Sequence, residues 1–145
     1  MNVEKINAFT TAWAPKMLSV LRIMTGLLYM QHGLQKWFGF PALAGAPASP
    51  PINVFSLRGG LAGTLELVGG ALIALGLLTR PVAFILAGEM AFAYFMAHSP
   101  RSFFPVLNGG NLPIMYCFVF LYFAFVGGGA WSLDEMRRRN ATPAG

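Results

Sequence analysis

Apolar residues gather into four blocks along the chain, at about 17–38, 57–78, 81–98 and 112–130. As helices these rise roughly 27 to 33 Å, enough to cross a hydrocarbon core of about 30 Å. None alternates with the period of a barrel strand, and in lipid the backbone must satisfy its own polar groups, so helices are the predicted elements. The pattern predicts an all-α integral membrane four-helix bundle, up-down-up-down, formed as a single domain over 1–145.

The connections differ in character. Residues 39–56 hold Pro41, Pro47, Pro50 and Pro51 among small residues, which predicts a structured or interfacial loop. Thr79-Arg80 reads as a tight hairpin turn, with Pro81 in the first turn of the third helix. Residues 99–111 form a second loop, polar and aromatic, on the same side as the first. An even number of spans puts both termini on one side. That side carries Lys5, Lys16, Arg80 and Arg137-Arg138-Arg139, against Lys36, Arg58 and Arg101 on the other, so the termini are expected in the cytoplasm. Trp13, Trp37 and Trp131 fall at span ends, as interfacial anchors do. No cleavable signal peptide is expected, because no small-residue cleavage motif follows the first apolar block.

Polar residues inside these blocks change the picture. At about 100° per residue, Arg22, Thr25, Tyr29, His32 and Lys36 fall within an arc of about 80°. A charge at the bilayer centre costs about 2.5–3.5 kcal/mol on insertion scales, so this stripe is expected to face the bundle interior or water. Snorkelling of Arg22 and Lys36 to headgroups is the competing reading, but it leaves the alignment with Tyr29 and His32 unexplained. On the second block Ala62, Glu66, Gly69, Ile73 and Gly76 share another narrow arc, mostly of small residues that let helices approach. Glu89 sits mid-way along the third block. The expectation is a buried ionic network, Arg22 paired with a glutamate, that either holds helices in register or lines a site.

His98 lies on the opposite side of an ideal helix from Glu89. With His32, Lys36, Asn108 and Asn111 it belongs to the outer end of the spans, over Glu66. "NGG" at 108–110 precedes Pro113, expected to open the last helix, and its amides could hold an anion or a carbonyl oxygen. The fourth block is aromatic on all sides and unspecific.

Composition narrows the chemistry further. The chain is 56% hydrophobic and 10% charged, with mean hydropathy +0.60. Its net charge of +5 is scattered apart from Arg137-Arg138-Arg139, which reads as a membrane-surface anchor, not a nucleic-acid patch. The single cysteine, Cys117, excludes an intrachain disulfide, a dithiol and a cysteine-built metal or iron–sulfur site. Two histidines without thiolate or carboxylate at fixed spacing predict no metal or haem.

Taken in order, His32-Gly33 with Lys36, Glu66 with Gly69-Gly70, Leu72, Gly76 and Thr79, Gly88-Glu89, Asn108-Gly109-Gly110 and Ser132-Leu133-Asp134 resemble the DoxX family of small bacterial membrane proteins. The resemblance covers about four-fifths of the chain. It implies a multi-pass protein of the bacterial cytoplasmic (inner) membrane, with redox and thiol-stress associations. Members commonly carry a glutamate after the NGG, where Asn111 stands here, so any proton or ligand chemistry of that carboxylate is altered or lost.

The expected function is a membrane subunit supporting quinone-linked redox chemistry. Glu66, Glu89 and His32 would be the reacting groups, and Arg22, Tyr29, Lys36, His98, Asn108 and Asn111 the ligand-binding ones. No cofactor is visible beyond the quinone, so electrons would come from a soluble redox partner. Two alternatives stay open: a non-catalytic anchor recruiting soluble redox or thiol-stress proteins, and a small-molecule permease assembled as a homo-oligomer through the glycine-rich second span.

Overall fold

The computed structural model describes residues 2–42 and 56–141; the prolines expected in a structured loop at 47, 50 and 51 lie outside them. The described residues are all-helical, without strands. Helix α1 spans Val3–Phe38; α2, residues 57–75; α3, Thr79–Arg101; α4, Pro105–Asn108; α5, Asn111–Val126; and α6, Leu133–Ala141.

Helix α1 begins well before the apolar block, where the Asn2 side chain accepts from the Glu4 amide, and ends where Gly39 turns left-handed at φ 64°. It runs through Pro15, whose carbonyl accepts from Ser19 Oγ at 3.1 Å and from the Ala130 amide at 3.0 Å. Helix α2 is not a regular α-helix. Leu57–Leu61 and Leu65–Gly69 are π-turns, and Tyr94–His98 of α3 is a third. Such turns insert an extra residue per bond and recur at functional sites.

The turn between α2 and α3 is Gly76–Leu78, not Thr79-Arg80 as expected. Gly76 and Leu78 take positive φ of 69° and 50°, and Thr79 already begins α3. What lets the helix start there is distant in sequence: Asp134 accepts from the Leu78 and Thr79 amides, each at 2.8 Å, and so caps α3. At the far end α5 opens at Asn111, before Pro113, and stops at Val126, short of residue 130, because Gly127 at φ 92° leaves the helix. Arg80 donates to the last carbonyls of α5, those of Ala124, Phe125 and Val126.

The helices associate as two close pairs. Helix α1 packs on α2 backbone to backbone. A Cβ on Gly26 would come within 2.7 Å of the Gly70 carbonyl, and one on Gly33 within 2.7 Å of the Gly63 carbonyl and against the Leu67 amide. These glycines recur every seven residues on both helices, as close membrane-type packing needs. Helix α3 packs mainly on α5. Between the pairs lie Tyr29, Ile73, Leu86, Phe120 and Phe123, all essentially inaccessible.

Candidate functional site

Toward the α2 N-terminus a cavity of about 670 Å³ opens between the two pairs. That lies within the roughly 300–1,000 Å³ of small-molecule sites. Apolar side chains line most of it, and the polar exceptions are Tyr29, His32, Lys36, Glu66, Glu89, His98 and Tyr116. All three π-turns contribute to its wall: Leu57 and Leu61, then Leu65 and Glu66, then Met96 to His98.

Helix α1 supplies Tyr29, His32 and Lys36 from one face, as the spacing requires. Lys36 Nζ donates to Glu66 Oε1 at 2.6 Å, with the glutamate side chain 7% exposed and the lysine 36%. Tyr29, itself 1% exposed, donates its hydroxyl to Glu89 Oε2 at 2.9 Å. The tyrosine ring meets Tyr116 and Phe120 edge-on at 5.0 and 4.9 Å between centroids, and His32 stands perpendicular to Tyr116 at 6.3 Å. Each carboxylate thus has one oxygen satisfied. Glu66 Oε2 and Glu89 Oε1 are buried and accept no hydrogen bond. Buried polar atoms are ordinarily paired, so this duplication calls for a donor.

Three of the expected site residues stand elsewhere. Arg22 is fully buried but pairs with neither glutamate. Its guanidinium donates to carbonyls: Gly128 at 2.7 Å, Ile73 at 2.6 Å, Ala74, and Trp131 at 3.3 Å. The last turn of α2 leaves carbonyls unpaired, and the arginine binds them to the 127–131 loop. The anticipated arginine–glutamate pair is therefore replaced by Lys36–Glu66. Asn108 is buried in its own turn, donating from Nδ2 to the Ser102 carbonyl at 2.8 Å and accepting from the Gly110 amide at 2.7 Å. That amide also bonds the Pro105 carbonyl, so the NGG turn satisfies itself and does not offer it to an anion. Asn111 is exposed at the start of α5 and does not line the cavity.

His98 reaches the cavity wall although an ideal helix points it away from Glu89. The π-turn at 94–98 advances less per residue than an α-turn and swings the ring round. Its Nδ1 sits 2.9 Å from the Asn108 carbonyl, an acceptor, so Nδ1 is the donor of this bond. Tyr116 was hidden in the sequence by the aromatic character of the whole fourth block. Its partners could have been anticipated only from Leu112, Pro113 and Tyr116 sharing one helix face.

The DoxX family model matches residues 17–99, which hold both glutamates and the α1 face. The chain belongs to the DoxX family. An uncharacterized protein of Haemophilus influenzae is 42% identical over 130 residues, covering 85% of this chain and 92% of its own length. A relative from Mycobacterium tuberculosis, described as an uncharacterized membrane protein, is 27% identical over 146 residues, covering 92% of this chain and 89% of its own. No solved structure matches. The protein is thus a DoxX-family membrane protein whose described polar cavity is built by the portion of chain that defines the family, with α5 closing one side.

Proposed function

We propose that the protein crosses the bacterial cytoplasmic membrane four times, through α1, α2, α3 and α5 with both termini in the cytoplasm, and that its cavity binds the head of a quinone–quinol couple. Helix α3 is long and apolar enough to span a membrane, and Gly59–Leu75 and Asn111–Val126 are shorter apolar helices. Helix α1 falls outside that set because its inward polar stripe lowers its hydropathy. Outward residues such as Phe84, Met115, Phe118 and Phe125 are more than half exposed, which suits lipid contact.

The observation that carries the redox reading is the pair of buried carboxylate oxygens without donors, Glu66 Oε2 and Glu89 Oε1, on two residues that line one apolar cavity. Two quinol hydroxyls would satisfy them, and Lys36 or His32 would donate to the carbonyls of the oxidised ring. Reduction of the quinone consumes two electrons and two protons. A soluble redox partner supplies the electrons, and the carboxylates pass the protons to the ring oxygens.

Titration of the purified protein with ubiquinol and menaquinol tests the reading. Glu66→Gln and Glu89→Gln should each weaken binding about tenfold, since a hydrogen bond to a charged acceptor exceeds a neutral one by about 1–1.5 kcal/mol. Absence of binding to the unaltered protein, or variants that bind equally well, removes it. Co-purification with a soluble partner that survives both substitutions would instead favour the anchoring role.

A further inference from the structure

We propose that the ligand enters sideways from the bilayer, between α2 and α3, and that an apolar tail stays in this gap while the polar head reaches the glutamates. The inference rests on the head-group reading above and adds to it the route and the shape of the ligand.

Among the described residues, no side chain closes the cavity between α2 and α3. Leu57 and Leu61 of α2 and Ile85, Phe92 and Met96 of α3 line it while remaining 52–58% exposed. They follow each other at four residues on α2 and at seven and four on α3, so each helix presents one apolar row to the opening. Gly88 lies on the α3 row, about half-way along Thr79–Arg101, and a Cβ built there meets no atom within 4 Å. An open, apolar gap at that depth faces acyl chains, not water. The interior end is different in kind, because Glu66 Oε2 and Glu89 Oε1 are the buried acceptors. A molecule that satisfies both ends has hydrogen-bond donors on a compact head and a flexible hydrocarbon chain behind it.

The packing explains why the gap is here. Glycines clamp α2 to α1, and α3 is held by α5, so the α2–α3 seam is joined chiefly lower down, where Leu86 fills the hollow at Gly69. Above that level the π-turns Leu57–Leu61 and Tyr94–His98 flank the opening.

Gly88→Trp sets a large side chain in the gap from a position whose Cβ meets no neighbour, and Gly88→Leu serves if the larger side chain disturbs folding. Two probes are compared by titration in lipid nanodiscs: a ubiquinol head bearing a ten-carbon tail, and the same dimethoxy-hydroquinone head without one. The plugged variant should bind the tailed probe at least tenfold more weakly and the tail-free probe within twofold of the unaltered protein. Equal binding of the tailed probe by both proteins, or equal losses for the two probes, overturns the lateral route while leaving the head-group site standing. If the unaltered protein binds neither probe, the quinol reading itself fails and this inference fails with it.

Discussion

Replacing Arg22 with methionine keeps much of the buried volume and removes the guanidinium that ties the end of α2 to the 127–131 loop. Of its four acceptors, the Ile73 carbonyl retains the Gly76 amide at 3.0 Å, and the Trp131 contact is long. The Gly128 and Ala74 carbonyls lose the donor that holds them. A hydrogen bond to a charged group contributes about 1.5–3 kcal/mol, so two such losses come to roughly 3–6 kcal/mol. Relief from burying a cation offsets part of this. The expected net destabilisation is about 3 kcal/mol. Arg22→Lys should not rescue it, because one ammonium cannot span acceptors on two separate segments. Equilibrium unfolding in mixed micelles with increasing dodecyl sulfate, followed by far-ultraviolet circular dichroism, measures the change. Quinol binding to the folded fraction should be unaltered. Arg22→Met within about 0.5 kcal/mol of the original stability, or one that loses binding without losing stability, would refute the assignment of Arg22 to structure.

Gly33→Ala should cost about 1–3 kcal/mol in the same assay, since the new methyl meets backbone atoms of α2 that cannot swing aside. Gly88→Ala, with open space around it, should change stability by no more than about 1 kcal/mol. Burial opposes charge on Asp134, but hydrogen bonds from Thr79 and Leu78 and the nearby Arg137 outweigh it and hold its carboxyl below the ordinary aspartate value. Its cap therefore stabilises the fold above that value and is lost as pH falls through the depressed one. Asp134→Asn should remove about 1 kcal/mol at neutral pH and flatten this acidic decline, measured by thermal unfolding between pH 3 and 7.

The all-helical character was legible because membrane-scale apolar blocks leave the backbone few choices, and the α1 face was legible because that helix keeps its period. Tyr29, His32 and Lys36 line one cavity with both glutamates, Tyr29 bonding Glu89 and Lys36 bonding Glu66. Arg22 shares their arc but not their depth. It lies roughly 15 Å along the axis from His32, and projection down the helix discards that distance. There the open carbonyls of α2 are the nearer partners. The placement of His98 depends on a π-turn, which follows from packing and leaves no period to read. The cap on α3 was equally hidden, because Asp134 arrives from 55 residues further on.

The glycine clamp makes α1 and α2 a single stiff slab that carries Lys36 with Glu66, whereas Glu89 rides on its neighbour across the seam. Spreading the slabs to admit a guest would leave the first ion pair intact and stretch the Tyr29–Glu89 bond, which bridges the divide. That tyrosine hydroxyl is thus the latch: whatever occupies the cleft must either preserve its grip on the acid or take its place.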